Sequence, residues 1–146
     1  MQFLKQRQRI PFVRICFYIG ATIDFVATLP LLFPGIAEML FGLNKLDLSD
    51  EFLYVSRVGA SLMLGWTFLL VWGSLKPIER RAILILTVFP VICGLALSSI
   101  AAVTSGFIHS KFMVPLWIVY AILIPSYVFA YGVAKKQSHE QPRVIQ

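Results

Sequence analysis

The sequence predicts an all-α protein: an integral membrane antiparallel four-helix bundle with a short outer interfacial segment. Three observations carry this. Of 146 residues 58% are hydrophobic, and the mean hydropathy is +0.80, more apolar than a soluble domain of this size. Four stretches, at about 11–33, 52–75, 82–105 and 112–134, each provide the ~20 apolar residues that a helix needs to cross a bilayer. The 13 Lys and Arg residues lie mostly at the ends of those stretches and divide unevenly between the two sides.

With the N terminus inside, ten basic residues face the cytoplasm: Lys5, Arg7, Arg9, Arg14, Lys76, Arg80, Arg81, Lys135, Lys136 and Arg143. Only three, Lys45, Arg57 and Lys111, fall on the outer side. That asymmetry predicts a multi-pass protein of the cytoplasmic (inner) membrane with both termini cytoplasmic. The net charge of +6 does not point to nucleic acid, because the basic residues flank spans instead of forming a patch with interleaved aromatics.

In chain order, residues 1–10 form a basic cytoplasmic arm suited to an anionic leaflet. The four-span domain covers 11–134. Its first span resembles a signal peptide in being basic and then apolar, but it reads as a retained helix. The apolar stretch is long, Asp24 interrupts it, and no A-x-A site follows. Pro30 and Pro34 end or bend it. "PGIAEMLFGL", residues 34–43, is too short to span and reads as the interfacial helix. After the loop at 44–52, Ser49 is suited to cap the second span, with Asp50 and Glu51 at the positive end of its dipole. "LKPIERRA", residues 75–82, is a tight basic turn, and "SGFIHSKF", residues 105–112, is the second outer turn. Pro90, Pro115 and Pro125 predict bends within spans. Residues 135–146 read as a polar cytoplasmic tail.

Asp24 raises the main chemical question. A carboxylate at bilayer depth costs at least ~2.5–3.5 kcal/mol, so it should face the bundle and find a partner. Its helical neighbours Gly20, Ala21, Ala27 and Thr28 are small, whereas Ile15, Ile19, Val26 and Leu29 suit lipid. Arg57 is the candidate partner. Measured from the outer ends of their spans, Asp24 lies ~14 Å deep and Arg57 ~8 Å, a difference that an arginine can cover. Thr28, Ser61, Ser98 and Tyr120 fall at similar depth. Together with Asp24 and Arg57 they form a candidate ligand-binding layer. The sequence leaves three uses open for it: a pair that fixes helix register, a ligand pocket, or a proton or ion path.

Motifs for metal, haem, phosphate or nucleophilic chemistry do not stand out, so no cofactor, no metal site and no assignable catalytic residue is expected. Cys16 and Cys93 fall in separate spans and read as small buried side chains. His109 reads as a solvated loop residue. Gly94, Ser98, Ala102 and Gly106 recur at four-residue intervals in the third span, a close-packing seam through which a homo-oligomer could form.

The basic arm, "RVGASLMLGW" at 57–66 and "KPIERR" at 76–81 give the chain a plan that resembles the small four-span bacterial proteins of the DoxX-like kind. The resemblance implies a four-helix membrane bundle, in some cases an accessory subunit beside a redox enzyme, and carries over no catalytic residues. The function expected is therefore non-enzymatic: an accessory or assembly partner, or a binder of a small lipophilic ligand. The alternative is a small membrane enzyme or transporter built on the Asp24/Arg57 layer. The expected partners are the lipid bilayer and either such a ligand or another membrane protein.

Overall fold

The computed structural model describes residues 9–41 and 49–140. The expectations for the basic arm over 1–8, most of the 44–52 loop and the last residues of the tail fall outside them. Every regular element among the described residues is helical: α1 (Arg9–Leu32), α2 (Pro34–Phe41), α3 (Asp50–Leu75), α4 (Ala82–Leu86), α5 (Cys93–Thr104) and α6 (Ser110–Glu140). A kinked segment, Thr87–Ile92, joins α4 to α5, so the three form one bent run. Four helical stretches are long and apolar enough to cross a membrane: Pro11–Leu32, Asp50–Leu75, Ala82–Thr104 and Ser110–Ser138.

Local chemistry explains where these helices begin and end. The first helix runs through Pro30 and stops at Phe33, whose successor Pro34 disfavours a helical conformation before it and then opens α2. Ser49 caps α3: its Oγ accepts from the Phe52 N–H at 3.3 Å, and Asp50 and Glu51 occupy the first turn. Phe89, at φ −118° and ψ 115°, leaves the helical region just before Pro90, which bends the third run. Gly106, at φ 74°, ends that run in a left-handed turn that returns the Ile108 N–H to the Ala102 carbonyl. The fourth helix continues through Glu140, so the start of the expected tail is helical. Lys135, Lys136 and Gln137 are good helix formers, and hydropathy marks where apolarity ends, not where helical hydrogen bonding ends.

The longest interface joins α1 to α3. Arg14 Nε donates to the Ser74 carbonyl at 3.1 Å, Phe17 lies against Gly73, Gly20 faces Leu70, Thr67 reaches Asp24, and Leu31 lies nearest Gly59. Numbers fall along α3 as they rise along α1. The α6 helix also packs on α1 and takes the third run, whereas α3 and that run share little surface. The long helices therefore neighbour one another in the order α3, α1, α6, third run.

Val13, Cys16, Phe17 and Ala21 of α1 join Leu70, Ile83, Leu84, Val88, Ile92, Leu123, Tyr127, Ala130 and Ala134 in one core. These positions come from the start of α1, the end of α3, the start of the third run and the later half of α6. The bulky packing is therefore concentrated towards one end. Large apolar side chains are exposed along every long helix, among them Ile15, Val26, Leu62, Phe68, Leu97 and Phe129.

Candidate functional site

Asp24 sits two-thirds of the way along α1, half-buried at the seam with α3. Thr67 Oγ1 donates to its Oδ2 at 2.8 Å. Thr28, one turn further on, is buried but points its hydroxyl back at its own helix, donating to the Asp24 carbonyl oxygen at 2.8 Å. That back-bond is the usual use of a threonine inside an apolar helix and leaves no donor for a ligand.

One turn before Asp24, against Gly20, lies Tyr127 of α6, 1% exposed. Its hydroxyl has no hydrogen-bond partner among the described residues. The phenol oxygen occupies the space that a side chain at Gly20 would need: a Cβ built there would lie 1.5 Å from it. Gly20 and Asp24 are one helical turn apart on the same face, with ~5–6 Å between such positions. A buried donor without an acceptor thus stands about one turn from a carboxylate that uses one oxygen for Thr67.

Two further aromatic side chains pack on the neighbouring core. Trp66, next to Thr67, and Tyr120 of α6 are half-buried against the same core that includes Tyr127. The Trp66 indole donates to Thr87 Oγ1 at 3.2 Å, and that hydroxyl donates to the Ile83 carbonyl at 2.8 Å. A second indole repeats the motif: Trp117 Nε1 donates to Ser99 Oγ at 2.9 Å, and Ser99 donates to the Ala96 carbonyl.

The structure keeps some of the expected layer and disperses the rest. Asp24, Thr28 and Tyr120 face inward. Arg57 does not meet Asp24: it is exposed, and the Asp24 carboxylate takes its hydrogen bond from Thr67 instead. Ser61 is also exposed and donates to the Arg57 carbonyl at 2.9 Å. Ser98 faces outward, and its neighbour Ser99 is the buried hydroxyl. The reason is register. Aligning the first two spans by their outer ends puts Arg57 near Asp24. The observed pairing of Gly59 with Leu31 instead makes α3 overrun α1. Arg57 is ten residues from Thr67, ~15 Å along the axis and beyond the reach of its side chain.

Sequence reasoning missed Thr67 and Tyr127. The clue for Thr67 was the small-residue pattern of α3. Ser56, Ala60, Thr67 and Gly73 mark its buried face, and Gly73 opposite Phe17 fixes the register. Tyr127 had no comparable signal, since nothing in the sequence sets it apart from the other aromatic residues of the fourth span. The small stripe of the third run faces outward: Gly94 and Ser98 are exposed, no atom lies within 4 Å of a Cβ at Gly94, and Gly106 serves as a helix cap. Compared with family models, curated proteins and solved structures, the chain shows no significant match to any of them.

Proposed function

We propose that this protein is a multi-pass protein of the inner membrane, packed as an antiparallel four-helix bundle with both termini cytoplasmic. Its role is non-enzymatic: it binds a small lipophilic ligand at the Asp24 centre, alone or as the accessory partner of another membrane protein. The exposed apolar side chains on every long helix support membrane residence, because a contiguous surface of this kind is poorly tolerated in water. The charge asymmetry supports the orientation. The accessory role draws on the DoxX-like resemblance, and α2 fits an interfacial helix.

One observation carries the ligand reading. Asp24 is an ionisable group deep in an apolar helix, only half-buried, and bonded through a single oxygen to Thr67. A carboxylate kept at this depth for packing alone needs its remaining lone pairs satisfied to offset its desolvation. The enzyme or transporter alternative relied on Arg57 beside Asp24, and with Arg57 distant it lacks its second charged group.

Native mass spectrometry of the protein released from lipid tests the reading. The wild type should retain a small molecule or a specific lipid that Asp24→Asn releases while its helicity and thermal midpoint stay close to wild type. Identical spectra from two equally folded proteins would refute it.

A further inference from the structure

The dispersal of the expected ion pair leaves the centre with one sign of charge. No Lys or Arg occurs at 15–44, 58–75, 82–110 or 112–134, so the nearest cations along the two helices of the centre are Arg14, ten residues from Asp24, and Arg57, ten residues from Thr67, each ~15 Å away along its axis. Asp24 has an oxygen that no described side chain engages. Trp66, Tyr120 and Tyr127, whose ring faces attract cations, pack on the adjoining core. The hydroxyl of Tyr127 is buried without a partner among the described residues.

We propose that the ligand of this centre is a lipophilic monovalent cation, a quaternary or protonated amphiphile of low charge density. It rests on the reading of Asp24 as a ligand site and specifies its chemistry. The carboxylate supplies the countercharge, and the aromatic faces take the apolar substituents around the cationic centre. An anion is rejected by the same carboxylate, since no guanidinium or ammonium stands near to offset the repulsion. A neutral lipid gains nothing from the charge.

Two ions of nearly the same size and shape separate these cases: tetraphenylphosphonium and tetraphenylborate. Each is titrated by equilibrium dialysis against the full chain in zwitterionic lipid nanodiscs. The wild type should bind the phosphonium saturably at one site and show no saturable binding of the borate. Asp24→Asn should weaken the phosphonium about tenfold or more, as expected for loss of the only countercharge. Arg57→Gln should leave it within about twofold, which the paired-layer arrangement would not allow.

Equal binding of the two ions, or unchanged phosphonium binding by Asp24→Asn, overturns the proposal. If Asp24→Asn fails to fold, the wild type alone decides. Dicyclohexylcarbodiimide modifies carboxyls in apolar surroundings, and saturating phosphonium should slow its labelling of Asp24. Labelling at an unchanged rate refutes the site. A neutral molecule retained in native spectra through Asp24, with no discrimination between the two ions, overturns the cationic class and leaves the ligand-site reading standing.

Discussion

Gly20 is the residue at which the molecule has least freedom. The Tyr127 hydroxyl fills the position of its missing side chain, and a Cβ there would also lie 2.9 Å from the ring carbon bearing that hydroxyl. Gly20→Ala must push α6 away from α1 or rotate a fully buried tyrosine. It should destabilise the protein by about 1–3 kcal/mol, read as a lower thermal midpoint in detergent. Adding Tyr127→Phe removes the closest atom and should recover part of the loss; no recovery would mean that the phenol is not what the methyl strikes. Thr67→Val keeps the shape but removes the donor to Asp24, and should cost about 1–3 kcal/mol because a half-buried carboxylate loses its hydrogen bond. The presence and inward direction of Asp24 were legible in the sequence, because small residues lie on its side of the helix. Its partner was not legible. A hydropathy profile locates a helix to within a turn or two, and ten residues of register separate Thr67 from Arg57.

Elements were more legible than contacts. Apolar length and turn chemistry placed three of the long helices within about two residues of their observed ends, whereas the fourth runs on to Glu140, and Ser49 stood where a cap was expected. Ser49→Ala should lower stability by about 1 kcal/mol and fray the first turn of α3, visible as faster amide exchange at Leu53 and its neighbours. The third run was predicted as a span with a bend, and Pro90 supplies it. What the profile could not show is how this run is fastened. It shares little surface with α3, but its hydroxyls Thr87 and Ser99 each take an indole N–H from a different helix. Hydrogen bonds between membrane helices average ~0.6 kcal/mol, so Trp66→Phe or Trp117→Phe alone should change stability only slightly. The double variant should add the two losses, because the bonds are at separate levels and share no partner. A large synergistic loss would contradict independent fastening.

Across the whole molecule, bulky packing and fixed basic side chains gather at the same end. Arg14 is tied to the Ser74 carbonyl, Arg80 lies 3.5 Å from the centre of the Trp72 ring and donates to the Trp72 carbonyl, and Arg81 donates to the Ile78 carbonyl. The proposed orientation puts that end in the cytoplasm. In a background lacking Cys16 and Cys93, Lys136→Cys should resist a membrane-impermeant maleimide in intact cells and react after permeabilisation. Lys111→Cys should react in intact cells. The reverse pattern would invert the protein in its membrane.

The three tryptophans have an optical consequence. Trp66 bonds to the third run before the bend at Phe89, Trp117 bonds to it after the bend, and Trp72 lies under Arg80 in the basic turn. The excited indole is sensitive to its N–H partner, so single-tryptophan versions would give separate emission signals from the two halves of one helical run. Comparing their wavelengths during unfolding would reveal whether those halves detach together or in sequence.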